Sequence, residues 1–296
     1  MANRRVLVKR RKAVRNIRKI TRTMQLIATA RFQAALSRAT GTKPYAQKLV
    51  ELVSNLSKSA AGGAHPLMNA SQGAARAALV IITSNRGLCG GYNANVLRAA
   101  LEHLKKKNES GVENDVYMVG KKGANYFKFL RRPVFQRVTG VSDAPRFEQI
   151  EPLANDLMAR FANGEIAAVH VAFMRFESVA RQQPAVIELL PLTHGADGEA
   201  GDGSAGATPA ETLYEFSPGP QELLNELLPA TVRVRLFQCF TDAVVSEQIA
   251  RMVAMKAATD AAGDMITALT RQYNRARQTQ ITMELLDIVG GANALG

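Results

Sequence analysis

Cysteine is almost missing from this chain of 296 residues, with Cys89 and Cys239 the only two. They are far apart and form no CxxC, no zinc-ligand spacing and no disulfide framework. That excludes a disulfide-stapled secreted domain and a zinc module, and it fits a reducing cytoplasmic compartment. No apolar run approaches the roughly 20 residues of a membrane span. Histidine is scarce too. His65, His103, His170 and His194 are scattered, and none has a partner four residues on that would help hold a metal. His170 falls in an apolar, strand-like run and reads as a packed side chain. No carboxylate pair with a supporting base stands out, so the residues by themselves do not describe a self-contained enzyme.

Two further absences have an address. The first acidic residue is Glu51, and 14 Lys and Arg precede it. From Val245 onward the charges balance, with Arg251, Lys256, Arg271, Arg275 and Arg277 against Glu247, Asp260, Asp264, Glu284 and Asp287. The net charge of +13 therefore belongs largely to the first segment, which suits nucleic acid, anionic lipid or an acidic protein surface. An acid-free, Arg-rich start also resembles an organellar transit peptide. Apolar periodicity that continues unbroken past residue 27 favours a helix of the mature protein. Proline is absent from Val232 to Val289, where Gly263 is the one interior glycine.

What is present is a pair of long helical patterns, one at each end. The run from Val232 to Val289 is about 58 residues of helix formers, a rod of roughly 85 Å. Ala262, Ile266, Leu269, Tyr273 and Ala276 follow at steps of 4, 3, 4 and 3, an apolar seam that requires a partner helix. Residues 4–58 read as a second long helix. There Ala13, Ile17, Ile20, Met24, Ile27, Arg31 and Ala34 show the same period. Gly41 and Pro44 threaten to bend or interrupt it. One such helix suggests a self-associating coiled coil; two at opposite ends of one chain favour an intramolecular antiparallel pair.

Between them the texture changes. Residues 59–75 form a small-residue linker. Predicted strands at Ala77–Thr83, Asp115–Val119, Val134–Val138, Ala167–Phe176 and Ala185–Leu190 alternate with predicted helices at Ala94–Lys107, Lys121–Leu130 and Gln149–Ala162. That order implies a small α/β domain with a largely parallel sheet. Residues 194–212 are rich in Gly and Ala and net acidic, a surface loop by composition. Ser217 and Pro218 give an N-cap and first residue for a helix, with Pro229 expected to interrupt it. The fold class is thus α+β, a long antiparallel coiled coil of terminal helices plus a central α/β, Rossmann-like domain. Its parts are 1–58, 76–193, a loop and return strand at 194–216, and 217–296.

Ser84-Asn85-Arg86-Gly87-Leu88-Cys89-Gly90-Gly91 leaves a buried strand and opens onto a helix, the setting of a phosphate-binding loop. It has neither GxGxxG nor GxxxxGK[ST], so a glycine-rich structural turn is the favoured reading. Cys89 has no nearby histidine to activate it.

Three stretches carry a specific resemblance. They are Lys19-Ile20-Thr21 with Met24 and Ala28, Arg86–Gly91, and Ala250–Gly263 followed by Tyr273–Val289. In this order they resemble the gamma subunit of F-type ATP synthases, the central rotor shaft. Asn85 and Ala261 depart from the family's usual Asp and Asn. The 194–212 region lacks the cysteine pair of the chloroplast form, which points to a bacterial type without thiol regulation.

The resemblance implies an antiparallel coiled coil that couples rotation of the proton-driven c-ring to conformational change at the beta-subunit catalytic sites. It implies no catalytic site and no cofactor on this chain. The partners implied are three alpha and three beta subunits, the epsilon subunit and the c-ring of Fo, with no nucleic acid. The location implied is peripheral, on the cytoplasmic face of a bacterial inner membrane and attached through Fo. Carried over by motif, Met24, Arg251, Lys256, Arg277, Gln278 and Thr282 contact alpha and beta subunits. Leu285, Ile288 and Val289 form the bearing tip, and Tyr214 and Glu215 lie on the c-ring side. Two rival readings come from the residues alone: a nucleic-acid-binding coiled coil, from the basic first helix, and a nucleotide-binding enzyme built on the central domain.

Overall fold

The computed structural model describes residues 4–59, 65–69, 76–192 and 219–295. The chain divides into two compact units, residues 1–30 with 251–296, and residues 31–250. Two long helices, α1 (Arg4–Ser59) and α5 (Pro220–Leu295), contribute to both units.

The larger unit is built on a five-stranded sheet. Its strands are β1 (Arg76–Ile82), β2 (Glu113–Val119), β3 (Gln136–Val138), β4 (Ala168–Phe176) and β5 (Gln182–Leu190), in the order β3-β2-β1-β4-β5. β1 to β4 run parallel, and β5 pairs antiparallel to β4. The sheet is therefore mixed, parallel but for one edge. β4 and β5 are joined by a short turn at 177–181, which allows only the antiparallel hairpin. Three further helices connect the strands: α2 (Tyr92–Glu109), α3 (Lys121–Phe129) and α4 (Phe147–Ala162).

Strand alternation separates two cores. Ala78, Val80 and Ile82 of β1 face one side, with Ile150, Leu153, Leu157 and Phe161 of α4 and Leu224, Leu228, Val232 and Leu236 of α5. Leu79 and Ile81 face the other, with Val96, Leu97, Ala100 and Leu104 of α2 and Phe127 of α3. The result is a three-layer α/β/α sandwich.

Two proline expectations are corrected. Neither Pro44 nor Pro229 interrupts its helix. Proline at 229 removes the bond to the carbonyl of Asn225 and costs about 3 kcal/mol in a helix interior. Leu224, Leu228, Val232 and Leu236 lie on both sides of it and are fully buried against the sheet. Each such side chain contributes about 1.5–3 kcal/mol, so packing outweighs the lost bond. Asn225 is exposed, which leaves its carbonyl open to water. The expected start at Ser217-Pro218 lies outside the described residues; the helix is described from Pro220.

In the smaller unit the two helices pair antiparallel. Thr21 meets Thr259, with Oγ1 atoms 2.8 Å apart. A Cβ on Gly263 would lie 3.8 Å from Cζ of Arg18, and Arg11 stacks its guanidinium 4.9 Å from the ring centre of Tyr273. As the α1 number falls from 21 to 11, the α5 number rises from 259 to 273. The predicted seam of α5 holds: Ala262 is buried, and Ile266, Leu269, Tyr273 and Ala276 are half-buried.

The predicted seam of α1 is corrected by one residue. Ala13, Ile17, Ile20, Ile27, Arg31 and Ala34 are exposed, and Met24 is half-buried. The buried line is instead Leu7, Thr21, Ala28, Ala35 and Ala39, with Arg11, Val14, Gln25 and Phe32 half-buried. One residue is about 100° around a helix, so α1 carries two stripes. The inward one mixes small and polar side chains with Leu7, Val14 and Phe32, and the outward one contains three isoleucines.

Candidate functional site

Among the described residues the most unusual chemistry is on the outside of the paired helices. Ile17, Ile20 and Ile27 of α1 are 51%, 59% and 50% exposed. Their steps of 3 and 7 place them on one face. Around them lies a field of one sign: residues 4–30 hold ten Lys and Arg and no acid. Isolated exposed apolar residues are ordinary. A line of isoleucines beside a second, buried line on the same helix is a candidate contact surface.

The end of α5 repeats the pattern more strongly. Pairing of residue 11 with residue 273 sets the start of α1, Arg4, opposite about residue 280, since 4 + 280 equals 11 + 273. Among the described residues, none of α1 lies opposite the part of α5 beyond that point. Ile281, Met283, Leu285, Leu286, Ile288 and Val289 are all about half exposed or more, up to 68% at Ile288. Such a run buries its apolar surface only against another molecule.

The individual residues fall into three groups. Lys256, Arg277, Gln278 and Thr282 are exposed on α5. The Thr282 hydroxyl donates to the Gln278 main-chain carbonyl at 3.0 Å. Leu285, Ile288 and Val289 lie on the unpaired end. Met24 is half-buried, and Arg251 is only 8% exposed, so most of its side chain is enclosed by this chain. Tyr214 and Glu215 lie outside the described residues. Sequence reasoning missed the outward role of Ile17, Ile20 and Ile27. Their basic flanks carried the signal, because a seam facing another helix of the same chain rarely carries so much charge of one sign.

The glycine-rich turn is a structural device. Ser84 donates its hydroxyl to the Arg86 carbonyl at 2.7 Å, and the Asn93 carboxamide oxygen accepts from the Ser84 amide at 3.0 Å. Asn93 also donates to Cys89 Sγ at 3.2 Å, and Cys89 is buried. The turn spends these polar groups on itself. Leu88 and Gly90 both adopt positive φ, 65° and 55°, to make the bend.

His170 and His103 lie against each other, with ring centres 4.5 Å apart. Burial, then the nearby charges of His103 and Lys107, pushes His170 down to about 3. His194 lies outside the described residues. Burial likewise pushes the Cys239 thiol up to about 12, so it is no nucleophile.

Comparison with known proteins agrees with this geometry. The family model described as ATP synthase matches residues 3–295. The chain is 43% identical over 295 residues to the ATP synthase gamma chain of Rhodopirellula baltica, covering 100% of this chain and 99% of that one. It is 40% identical to the ATP synthase gamma chain of Leptospira biflexa, covering 100% of both. Among solved structures, the rotor of the Euglena gracilis mitochondrial ATP synthase gives a TM-score of 0.61 at 17% identity, covering 94% of this chain and 98% of that one. The central stalk and c-ring assembly of the Tetrahymena thermophila mitochondrial enzyme gives 0.56 at 20% identity, covering 81% and 99%. At those identities the structural likeness speaks for the fold.

Proposed function

The chain belongs to the ATP synthase gamma-chain family, and we propose that the geometry of its paired helices is that of the enzyme's rotor shaft. Its partners are then three alpha and three beta subunits, the epsilon subunit and the c-ring. It carries no catalytic site of its own and transmits c-ring rotation to sites on the beta subunits. The observation that carries this reading is the unpaired end of α5, whose exposed Ile281, Leu285, Ile288 and Val289 call for an apolar sleeve. The basic, isoleucine-lined face of α1 supplies a second contact surface, and it has the exposure for the work better than the enclosed Arg251. No described helix is long and apolar enough to cross a membrane. We place the subunit at the cytoplasmic face of a bacterial inner membrane, held there through Fo. The parts divide the work: 1–58 and 217–296 act on alpha and beta, with Met24, Lys256, Arg277, Gln278 and Thr282 in contact, while 76–193 and 194–216, including Tyr214 and Glu215, engage epsilon and the c-ring.

A shaft biases three similar sites only through contacts that differ with its angle, because a contact equally strong in every orientation shifts no equilibrium. Arginine suits that task, since its planar fork requires acceptors in one geometry. Losing one charged hydrogen bond changes a population by about tenfold to a hundredfold. Arg277→Ala should therefore give a complex of normal size with clearly reduced ATP synthesis and hydrolysis. Full activity would make Arg277 a bystander, and failure to assemble would make its role structural.

A further inference from the structure

At the carboxyl ends of β1, β2 and β3 the larger unit opens into a cleft of about 880 Å³. Its walls are the segment after β1 (Asn85, Arg86), the start of α3 (Lys121, Ala124, Asn125), the loop after β3 (Thr139–Ala144) and the α1 face bearing Arg31, Ala34, Ala35 and Arg38. Five cations line it: Arg31, Arg38, Arg86, Lys121 and Arg137. Among the described lining residues Asp143 is the one acid, which leaves an excess of four positive charges. Arg31 is bound to Asp143 at 2.9 Å, and Arg86 lies 4.0 Å from the same carboxylate. The side chains of Arg38, Lys121 and Arg137 make no ion pair or hydrogen bond with any described residue. They come from three different elements, α1, α3 and β3, and converge on one space.

A folded chain has no stability reason to gather three unpaired cations in a concavity, where they repel one another. Such clefts concentrate anions. The Lys122 and Gly123 amides at the start of α3 are not the recognising groups, because they already donate to the Ser84 carbonyl and the Thr83 hydroxyl, at 3.1 and 3.0 Å. Recognition falls to the side chains. The cleft is in the size range of small-molecule sites, too large for one phosphate ion. Met118, Val119, Ala124, Val138 and Val141 give it an apolar lining as well.

We propose that this cleft binds a small molecule carrying two or more adjacent phosphates, held by Arg38, Lys121 and Arg137. The site is not catalytic and is independent of the shaft's role, so either reading can fail without the other. The test titrates the full-length chain with ATP and, separately, with pyrophosphate, at roughly 0.15 M salt so that nonspecific attraction is screened. One saturable site per chain is expected. Lys121→Ala/Arg137→Ala should weaken binding by about tenfold or more, since charge-assisted hydrogen bonds are lost, and Arg38→Gln should weaken it on its own. Arg271→Ala/Arg275→Ala removes the same charge from α5 and should leave binding intact. Tighter binding of ATP than of pyrophosphate identifies a nucleotide as the occupant; equal binding identifies a site that reads phosphates only. Three results overturn the proposal: no saturable binding of either probe, equal weakening by the α5 pair, or equal competition by poly-glutamate at matched charge.

Discussion

Cross-linking Thr21 to Thr259 would fix the register of the paired helices and test the shaft reading together with it. The two hydroxyl oxygens are 2.8 Å apart and buried. They also contact the Arg18 carbonyl at 3.1 Å and the Met255 carbonyl at 2.7 Å. Two hydroxyl protons thus serve three contacts, and no proton is bound to the seam by the bond between the helices alone. Replacing both residues by cysteine removes little, because each main-chain carbonyl already accepts within its helix. The sulfur atoms would take the place of oxygens already in contact, within reach of disulfide geometry. The residues are 238 apart in sequence, and closing a loop of that size stabilises by up to about 5 kcal/mol in the chain-entropy model. The native Cys89 and Cys239 are buried and should not compete. Mild oxidation of the assembled Thr21→Cys/Thr259→Cys complex should give an intramolecular bond, seen as a mobility shift on non-reducing gels. Both ends belong to one rotating body, so ATP hydrolysis should persist after oxidation. Failure to cross-link would refute the register, and a cross-link that stops turnover in a reversible manner would refute the claim that the two helices turn as one.

The remaining predictions concern the larger unit. Arg160 donates to Asp115 at 2.7 Å, Glu165 at 2.9 Å and the Tyr117 hydroxyl at 2.8 Å. Arg160→Met leaves the buried Asp115 with only Arg76 at 3.7 Å and should cost about 3–5 kcal/mol in urea unfolding; Arg160→Met/Asp115→Leu should recover much of it. Gly120 sits at φ +88°, and an added Cβ would fall 2.1 Å from the Thr83 carbonyl oxygen. Gly120→Ala must therefore part the ends of β1 and β2, and a loss under about 1 kcal/mol would contradict that geometry. His170 is held neutral, with its folded value near 3 below the ordinary value of about 6.5. The unfolded chain takes up the proton first, so stability should fall as pH drops below about 6.5, by up to about 1.4 kcal/mol per pH unit. His170→Gln should flatten that part of the pH–Tm curve.

The central domain was legible because its signals are local. Strand runs such as Ala78–Ile82 are apolar through both faces, as parallel strands covered on two sides must be. Predicted boundaries of the central elements lie within about three residues of those observed; β3 starts two residues later than expected and β5 three residues earlier. The cleft was not legible. Arg38, Lys121 and Arg137 are spread over about 100 residues, and only the folded arrangement of α1, α3 and β3 brings them together. Pro229 misled for a related reason: its local cost is visible in sequence, whereas the sheet that outweighs it is not.

The misplaced seam of α1 carries a mechanical argument. Periodicity selects the stripe with the largest apolar side chains, and on α5 that stripe does face the partner helix. On α1 it does not. Thr21 and Ala28 on the inward line are compact, which lets two helices approach closely there. The larger Ile17, Ile20 and Ile27 are left for the outside. Had this helix evolved only to hold the pair together, the isoleucines would lie inward, because burying each contributes about 1.5–3 kcal/mol. Their outward placement forgoes that gain within the chain and is recovered only against another subunit. The same reasoning fixes a test at the half-buried Met24, on the border of the two stripes. Met24→Leu conserves volume and should assemble and turn over nearly as before. Met24→Asp sets a carboxylate at a half-buried position, at a cost of several kcal/mol unless it reaches water or a cation. It should lower proton-driven ATP synthesis far more than Met24→Leu does. Equal synthesis rates in the two variants would mean that the border of the stripes stays in solvent throughout the cycle, and the outward stripe would lose its claim to be a contact surface.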